Sequence, residues 1–342
     1  MKAMILEQLT KIKVDSEPLV FKHIPDPLPN ENELLIKVET CGVCHTELDE
    51  IEGRTPPEQL PRILGHQIVG IVIGKGSKPQ RFNLGDRIGI AWINSACGVC
   101  PHCRAGNENL CSQFSATGRD VDGGYAELAT IAEDFAFKIP EFFTPENAAP
   151  LLCAGAIGYR SLRLSGLNNG QRIGLTGFGA SAHLVLKMVK FLYPDSAVYV
   201  FARNVREQEF ALGLGAVWSG DTTAVAPEKL AVVIDTTPAW KPVIEALGNL
   251  TPGGRLIINA IRKEESDKQY LQQLDYSTHL WQEKEIKSVA NVSRRDVSKF
   301  LELAARMKLK PAIEEYALEE ANQALCELKH QRIRGAKVLR IG

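Results

Sequence analysis

Four cysteines, Cys97, Cys100, Cys103 and Cys111, follow the pattern C-x2-C-x2-C-x7-C. Tight C-x2-C turns aim two sulfurs at one point, and four thiolates complete a tetrahedral zinc shell that leaves no position for a reactant. A closed shell implies a structural ion pinning a lobe at about residues 94–113, which has little core of its own. An iron–sulfur cluster competes, but its fourth cysteine usually follows after three residues and precedes a proline, which this chain lacks. Four unligated thiols are the other alternative.

Three more candidates stand apart: Cys44 in C-G-V-C-H-T-E, His66 in L-G-H-Q and Cys153 in L-L-C-A-G. Singly, each has an ordinary reading as a buried thiol, a hydrogen-bonded loop histidine or core filler. Together they form a Cys2His set, an arrangement that holds catalytic zinc with a fourth position open. Two thiolates balance the ion's charge, and the remaining Lewis acidity would lower the pKa of a bound alcohol. Spacing alone does not bring the three together.

A third feature is Gly177-Phe178-Gly179-Ala180-Ser181-Ala182, which reads G-x-G-x-x-A between an apolar run and a helical pattern. In a dinucleotide-binding loop the first glycine makes the turn and the second admits the pyrophosphate. The small third residue, here Ala182, lets helix and strand pack. The helix N-terminus offers free N–H groups to phosphate. The following strand ends Val200-Phe201-Ala202-Arg203. Ala202 stands where NAD-binding proteins place an acid for the ribose, and Arg203 can bind a 2′-phosphate in bidentate fashion, so NADP(H) is favoured over NAD(H). A solvated surface arginine is the alternative.

These groups need elements to position them. Up to about Pro150 the chain offers short alternating runs (Leu34–Thr40, Gln67–Ile73, Asp86–Trp92, Tyr125–Ile131) between turn residues, as in an irregular β-barrel-type domain. Beyond Ala154 strands and helices alternate. Strands are expected at Arg172–Thr176, Ala197–Ala202, Leu230–Asp235, Arg255–Ala260 and Ile286–Ala290, and helices at Ser181–Phe191 and Glu207–Leu214. That rhythm indicates a parallel sheet covered on both faces. Val297–Met307 is amphipathic and Ala336–Ile341 reads as a strand.

Composition limits the function classes. The 342 residues are 44% hydrophobic and 24% charged with a net charge of -1, which gives no pull towards nucleic acid or an anionic membrane surface. The start, MKAMILEQLT, lacks the apolar core of a secretion signal, and no run is long enough to span a bilayer, so a cytoplasmic location is expected. In that setting eight cysteines suit metal thiolates better than disulfides.

Taken together, G-V-C-H-T-E, G-H-Q-I-V-G, the four-cysteine lobe, G-G-Y-A-E, L-L-C-A-G, G-F-G-A-S-A and R-G-A-K-V-L make the chain resemble the zinc-containing medium-chain alcohol dehydrogenases over nearly its whole length. The likeness is to the bacterial and yeast-type members, often tetramers. It implies an α/β protein with a GroES-like β-barrel catalytic domain from residues 1–153 and 291–342, and a Rossmann doubly wound parallel-sheet domain from 154–290. It implies catalytic zinc on Cys44, His66 and Cys153, and structural zinc on Cys97, Cys100, Cys103 and Cys111. Thr46 matches the hydroxyl that starts a proton relay. His45 and Lys337 match positions that meet the cofactor phosphates, and Trp92 resembles a substrate-pocket aromatic, with a core tryptophan as the alternative. Glu47 fits the acid that braces the ligand histidine, where Asp is more usual. Two departures stand out. Gln67 replaces the usual Glu after His66, removing one negative charge near the metal. Asp49 replaces a histidine at the solvent end of the relay, where its lower intrinsic pKa makes a poorer proton carrier near neutrality.

The implied activity is reversible hydride transfer between an alcohol or aldehyde and NAD(P), in a homotetramer or homodimer. Two rivals remain at this point: a zinc-independent quinone or enoyl reductase on the same fold, weakened by the presence of both metal sets, and a non-catalytic zinc- and nucleotide-binding protein.

Overall fold

The computed structural model describes residues 1–330 and 335–342. The chain divides into two compact units, Met1–Ala156 with Val292–Gly342, and Ile157–Asn291. The first cut falls inside the helix Ala154–Ser165 rather than before it.

The first unit is organised by one long strand, Glu33–Val43, whose buried positions alternate with more open ones before its last four residues are all enclosed. It pairs antiparallel with Ile68–Lys75, Leu128–Ala132 and the C-terminal strand Ala336–Arg340. The chain end therefore completes a sheet begun by the N-terminal third. The full sheet has seven strands, and a second sheet of three strands joins Val20–His23, Lys2–Leu6 and Arg62–Ile63. Several elements escaped the sequence reading here, among them the strands Lys2–Leu6 and Val20–His23, the helix His45–Ile51 and two near the C-terminus. The strand Ile313–Ala317 carries only one buried residue, and the helix Ala321–His330 only three, so neither has a strong apolar rhythm.

The second unit is a six-stranded parallel sheet. Its spatial order is Trp218–Gly220, Ala197–Phe201, Arg172–Thr176, Leu230–Asp235, Leu250–Ile258 and Glu285–Ser288. Arg172–Thr176 and Leu230–Asp235 match the sequence expectation residue for residue. Both are short, apolar and bounded by polar residues. Strand order reverses at Arg172–Thr176, the switch point at which doubly wound sheets bind ligands. One part of the core packs Tyr199, Phe201, Leu230, Val233, Leu247 and Leu256 together. Among the described residues, no helix is long and apolar enough to cross a membrane.

Lys337 does not take the place the family resemblance implies. Its side chain is fully buried in the C-terminal strand, and its ammonium is held by Glu314 at 2.8 Å, Glu327 at 2.6 Å and the Tyr316 hydroxyl. A buried charge so placed is offset by the two carboxylates of its own unit. Lys337 and then Tyr316 hold the Glu327 carboxyl down at about 2 against an ordinary 4.5. Because that pKa is lowered, the pair's contribution to stability is complete above pH 4.5 and is lost as the pH falls towards 2.

Lys337→Met should lower the unfolding free energy at neutral pH by about 3 kcal/mol, because two carboxylates lose their buried cation. Urea denaturation should show the gap between variant and parent narrowing as the pH falls below 4.5.

Candidate metal centres and dinucleotide loop

Strand register builds the first site. Cys41 pairs with Ile68 across the antiparallel strands, so the residues just past that end, Cys44 on one strand and His66 before the other, meet in space. The turn before His66 depends on Gly65, whose φ is +95° and whose Cα lies so close to Tyr125 that a Cβ would sit 2.5 Å from the ring. Cys153 follows the buried 3-10 turn Ala149–Leu152. Ligand atoms of Cys44, His66 and Cys153 all lie within 4.8 Å of one another.

Glu47, fully buried in the helix His45–Ile51, fixes the set. One carboxylate oxygen meets His66 Nδ1 at 2.6 Å and the other accepts from the Cys44 amide at 2.7 Å. With Nδ1 so engaged, the second ring nitrogen, Nε2, is buried without a hydrogen-bond partner. The sulfurs of Cys44 and Cys153 are 4.0 Å apart. That is close to the ~3.8 Å separation of two thiolates on one tetrahedral zinc, and about twice a disulfide bond. The Cys153 contact, and then His66, hold the Cys44 thiol well below its usual range. The same contact, with burial, pushes Cys153 well above it. Burial works against a charged His66, but Glu47 and Cys44 drive its pKa well up. Two adjacent buried sulfurs cannot both ionise unaided. A divalent cation would let them do so and would give Nε2 its partner, so the residues fit such an ion.

Other expected residues surround this set. Thr46 is buried with its hydroxyl 3.6 Å from the Cys44 sulfur. His45 is exposed at the start of the helix. Gln67 is buried against Gly42, where a Cβ would meet its amide carbon at 2.8 Å. Trp92 is mostly enclosed, with Phe114 at a centroid distance of 5.0 Å and the Arg119 guanidinium 5.2 Å from its ring. Asp49, expected at the solvent end of a relay, is buried and paired with Arg54 at 2.5 Å. Its helix turns that side chain towards Arg54, whose partners also include Glu52.

Sequence reasoning missed Glu50. It is fully buried, and neither carboxylate oxygen has a hydrogen-bond partner. Burial, followed by the neighbouring Glu47 charge, pushes its carboxyl well up. The available signal was its position one helical turn beyond Glu47, on the same face.

The four-cysteine set forms a second centre. All four sulfurs lie within 4.8 Å, with Cys97 and Cys103 at 3.9 Å. Backbone amides of Cys97, Cys100, Cys103 and Gln113 point at the sulfurs of Cys111, Cys97, Cys100 and Cys111, respectively. Amides of Val99 and Cys100 hold the Cys97 thiol at about 6, while Cys103 is pushed up to about 12 by burial and its neighbouring thiols. None of the eight cysteines is in a disulfide. Glu108 ties the lobe to the rest of its unit through Arg294 at 2.6 Å, a link between residues distant in sequence.

In the second unit, Gly177 has a φ of +76°, and a Cβ there would meet Thr236 Oγ1 at 2.9 Å. Gly179 caps the helix Ala180–Leu192 without a side-chain bond, and a Cβ there would meet nothing within 4 Å. The first glycine is thus demanded by the turn and the second leaves open space above the helix N-terminus. Ala182 is fully buried, as close helix packing requires. Ala202 is buried, its carbonyl accepting from Gln208 at 2.7 Å, and Arg203 is exposed. Asp235, unanticipated, is buried at the end of its strand and paired with Lys263, whose ammonium also binds the Thr237 and Ala239 carbonyls.

Comparison with known proteins adds the lineage. Residues 30–141 match the alcohol dehydrogenase GroES-like domain family. The chain is 41% identical to a probable alcohol dehydrogenase, AdhA, of Mycobacterium tuberculosis, over 96% of this chain and 94% of that one. Its fold is similar to a cobalt- and zinc-bound thermostable alcohol dehydrogenase from Pyrobaculum aerophilum (TM-score 0.88, 20% identity, 99% of each chain). It is also similar to a CAD from Helicobacter pylori complexed with NADP(H) (TM-score 0.83, 21% identity, 99% of this chain and 97% of that one). Identity sustained along almost the whole of both chains, on a GroES-like unit joined to a parallel Rossmann sheet, shows that this chain belongs to the zinc-dependent medium-chain alcohol dehydrogenases and is an oxidoreductase of that type.

Proposed function

We propose that the chain interconverts an alcohol and its aldehyde by hydride transfer with NADP(H), in preference to NAD(H), and carries two zinc ions. Cys44, His66 and Cys153 hold the catalytic ion, and Cys97, Cys100, Cys103 and Cys111 the structural one. The observation that carries this reading is the buried tripod itself: two sulfurs 4.0 Å apart and a histidine nitrogen left without a partner. Zinc at such a site supplies Lewis acidity towards an alcohol or carbonyl oxygen.

The chain's own residues do the rest. Glu47 orients the His66 ring and stops it turning its free nitrogen away. Thr46, with its hydroxyl beside the Cys44 sulfur, takes the alcohol's proton. The ion pair with Arg54 gives Asp49 a structural task in place of proton carriage. Gly177 and Gly179 shape the turn that admits the cofactor pyrophosphate at the N-terminus of Ala180–Leu192. Beyond Ala202, Arg203 is exposed where a ribose 2′-phosphate would lie in this loop type.

The exposed edge of the parallel sheet supports a homo-oligomer. Glu285–Ser288 pairs on one side only and all four of its residues are exposed, with Ile286, Tyr276 and Trp281 bare nearby. An edge strand with one row of unpaired backbone groups, and with Ile286 exposed between Glu285 and Lys287, is a template for pairing with a second copy.

Metal analysis of Cys44→Ser should find about one zinc of two retained, with turnover of alcohols lost. A fully active variant would overturn the catalytic assignment. Arg203→Ala should raise the KM for NADP(H) about tenfold, the worth of one charged hydrogen bond, and leave that for NAD(H) nearly unchanged. Ile286→Lys should shift the protein to a smaller species in size-exclusion chromatography, because it replaces the strand's exposed apolar side chain with a further charge.

A further inference from the structure

Glu50 poses a physical problem that the described residues do not solve. A carboxylate removed from water is stable only if hydrogen bonds or a cation replace its hydration. Glu50 is fully enclosed, yet neither of its oxygens has a hydrogen-bond partner. Its neighbours make matters worse. Glu47, one helical turn earlier on the same face, is a second buried carboxylate, and it is already committed to His66 and the Cys44 amide. Glu47 and Cys44 add negative charge beside Glu50, and only a charged His66 ring and Arg119 oppose them. Arg119 is itself forked onto Asp120 by two bonds of 2.8 Å. Gln67, beside the ligand histidine, is neutral and adds no charge.

Positive charge is what this corner lacks, and the tripod is where the reading above places it. We infer that Glu50 is a positioning residue for the ion at Cys44, His66 and Cys153, its buried and unpartnered carboxylate stabilising the dication electrostatically where Gln67 supplies no charge. In this arrangement the carboxylate needs no hydrogen bond, because the dication offsets its burial. The two acids on one helix face then divide the work. Glu47 orients a ligand, and Glu50 supplies field. The inference rests on the zinc reading of the three-residue site and goes beyond it by assigning a role to a residue that is not a ligand.

The test uses the full-length protein loaded with zinc and challenged with a chelator, following zinc released per chain. Glu50→Gln keeps the shape and removes the charge, while Glu50→Asp keeps the charge. The Gln variant should release one of its two ions ten- to a hundredfold faster, roughly the usual effect of losing an outer partner of a metal site. The ion of the four-cysteine lobe should leave at the parental rate. The Asp variant should fall nearer the parent than the Gln variant does. With cobalt in place of zinc, the thiolate-to-metal absorption of the tripod should shift in the Gln variant. The rise in Tm on adding zinc to the metal-free protein should also be smaller in the Gln variant, which keeps the question decidable if loading is incomplete.

Parental release kinetics together with a parental zinc-dependent rise in Tm in the Gln variant would overturn the role of Glu50. A parent that takes up only the ion of the four-cysteine lobe would instead overturn the reading of the tripod. The two failures are therefore separable.

Discussion

The buried carboxylate of Glu47 holds the candidate active site together. One oxygen grips the His66 ring and the other the Cys44 amide, so a single side chain fixes two of the three tripod residues from opposite sides. Both partners come from the ends of strands whose register, Cys41 on Ile68, is set by the sheet. The His66 ring is held by Glu47 at Nδ1, which leaves Nε2 as its unpartnered nitrogen. Such preorganisation is what lets a metal bind without the protein rearranging around it.

The same economy of charge runs through the catalytic unit. Buried ions here are matched in small local groups: Lys337 with Glu314 and Glu327, Arg54 with Asp49 and Glu52, Glu108 with Arg294. Each group joins segments far apart in sequence or closes a turn, and each would be costly to break from one side only. Against that background, two sites are out of balance. One is the tripod, where adjacent thiols oppose each other's ionisation. The other is Glu50, which no neighbour satisfies. Cys44 caps, and Glu50 lies in, the helix His45–Ile51, so the cation proposed above for the tripod would serve both.

The dinucleotide loop shows a different kind of constraint, one of space. Gly177 is required by backbone conformation and by Thr236 pressing from the next strand's end, while Gly179 borders open space. Asp235 and Lys263 stand in the same region and clamp the loop after Leu230–Asp235 to the one after Leu250–Ile258. That clamp leaves the rim of the sheet stiff around the switch point, where a bound phosphate needs fixed amides.

Local chemistry was written plainly in the sequence. C-x2-C turns, a G-x-G-x-x-A loop between a strand and a helix, and short apolar strands depend on neighbours a few residues away, so spacing and periodicity suffice to find them. The strands Arg172–Thr176 and Leu230–Asp235 were legible to the residue because both faces are buried and their ends are polar. Cys44, His66 and Cys153 were visible as residue types, but their meeting depends on strand register and on a turn at Gly65 that only close packing against Tyr125 explains. The ion partners of Lys337 and Asp49, and the unpartnered burial of Glu50, were not legible in spacing alone. Whether a charged side chain faces a phosphate, an arginine or nothing is decided by what lies across the fold from it, and burial, which sets the cost of its charge, exists only once the chain has closed around it.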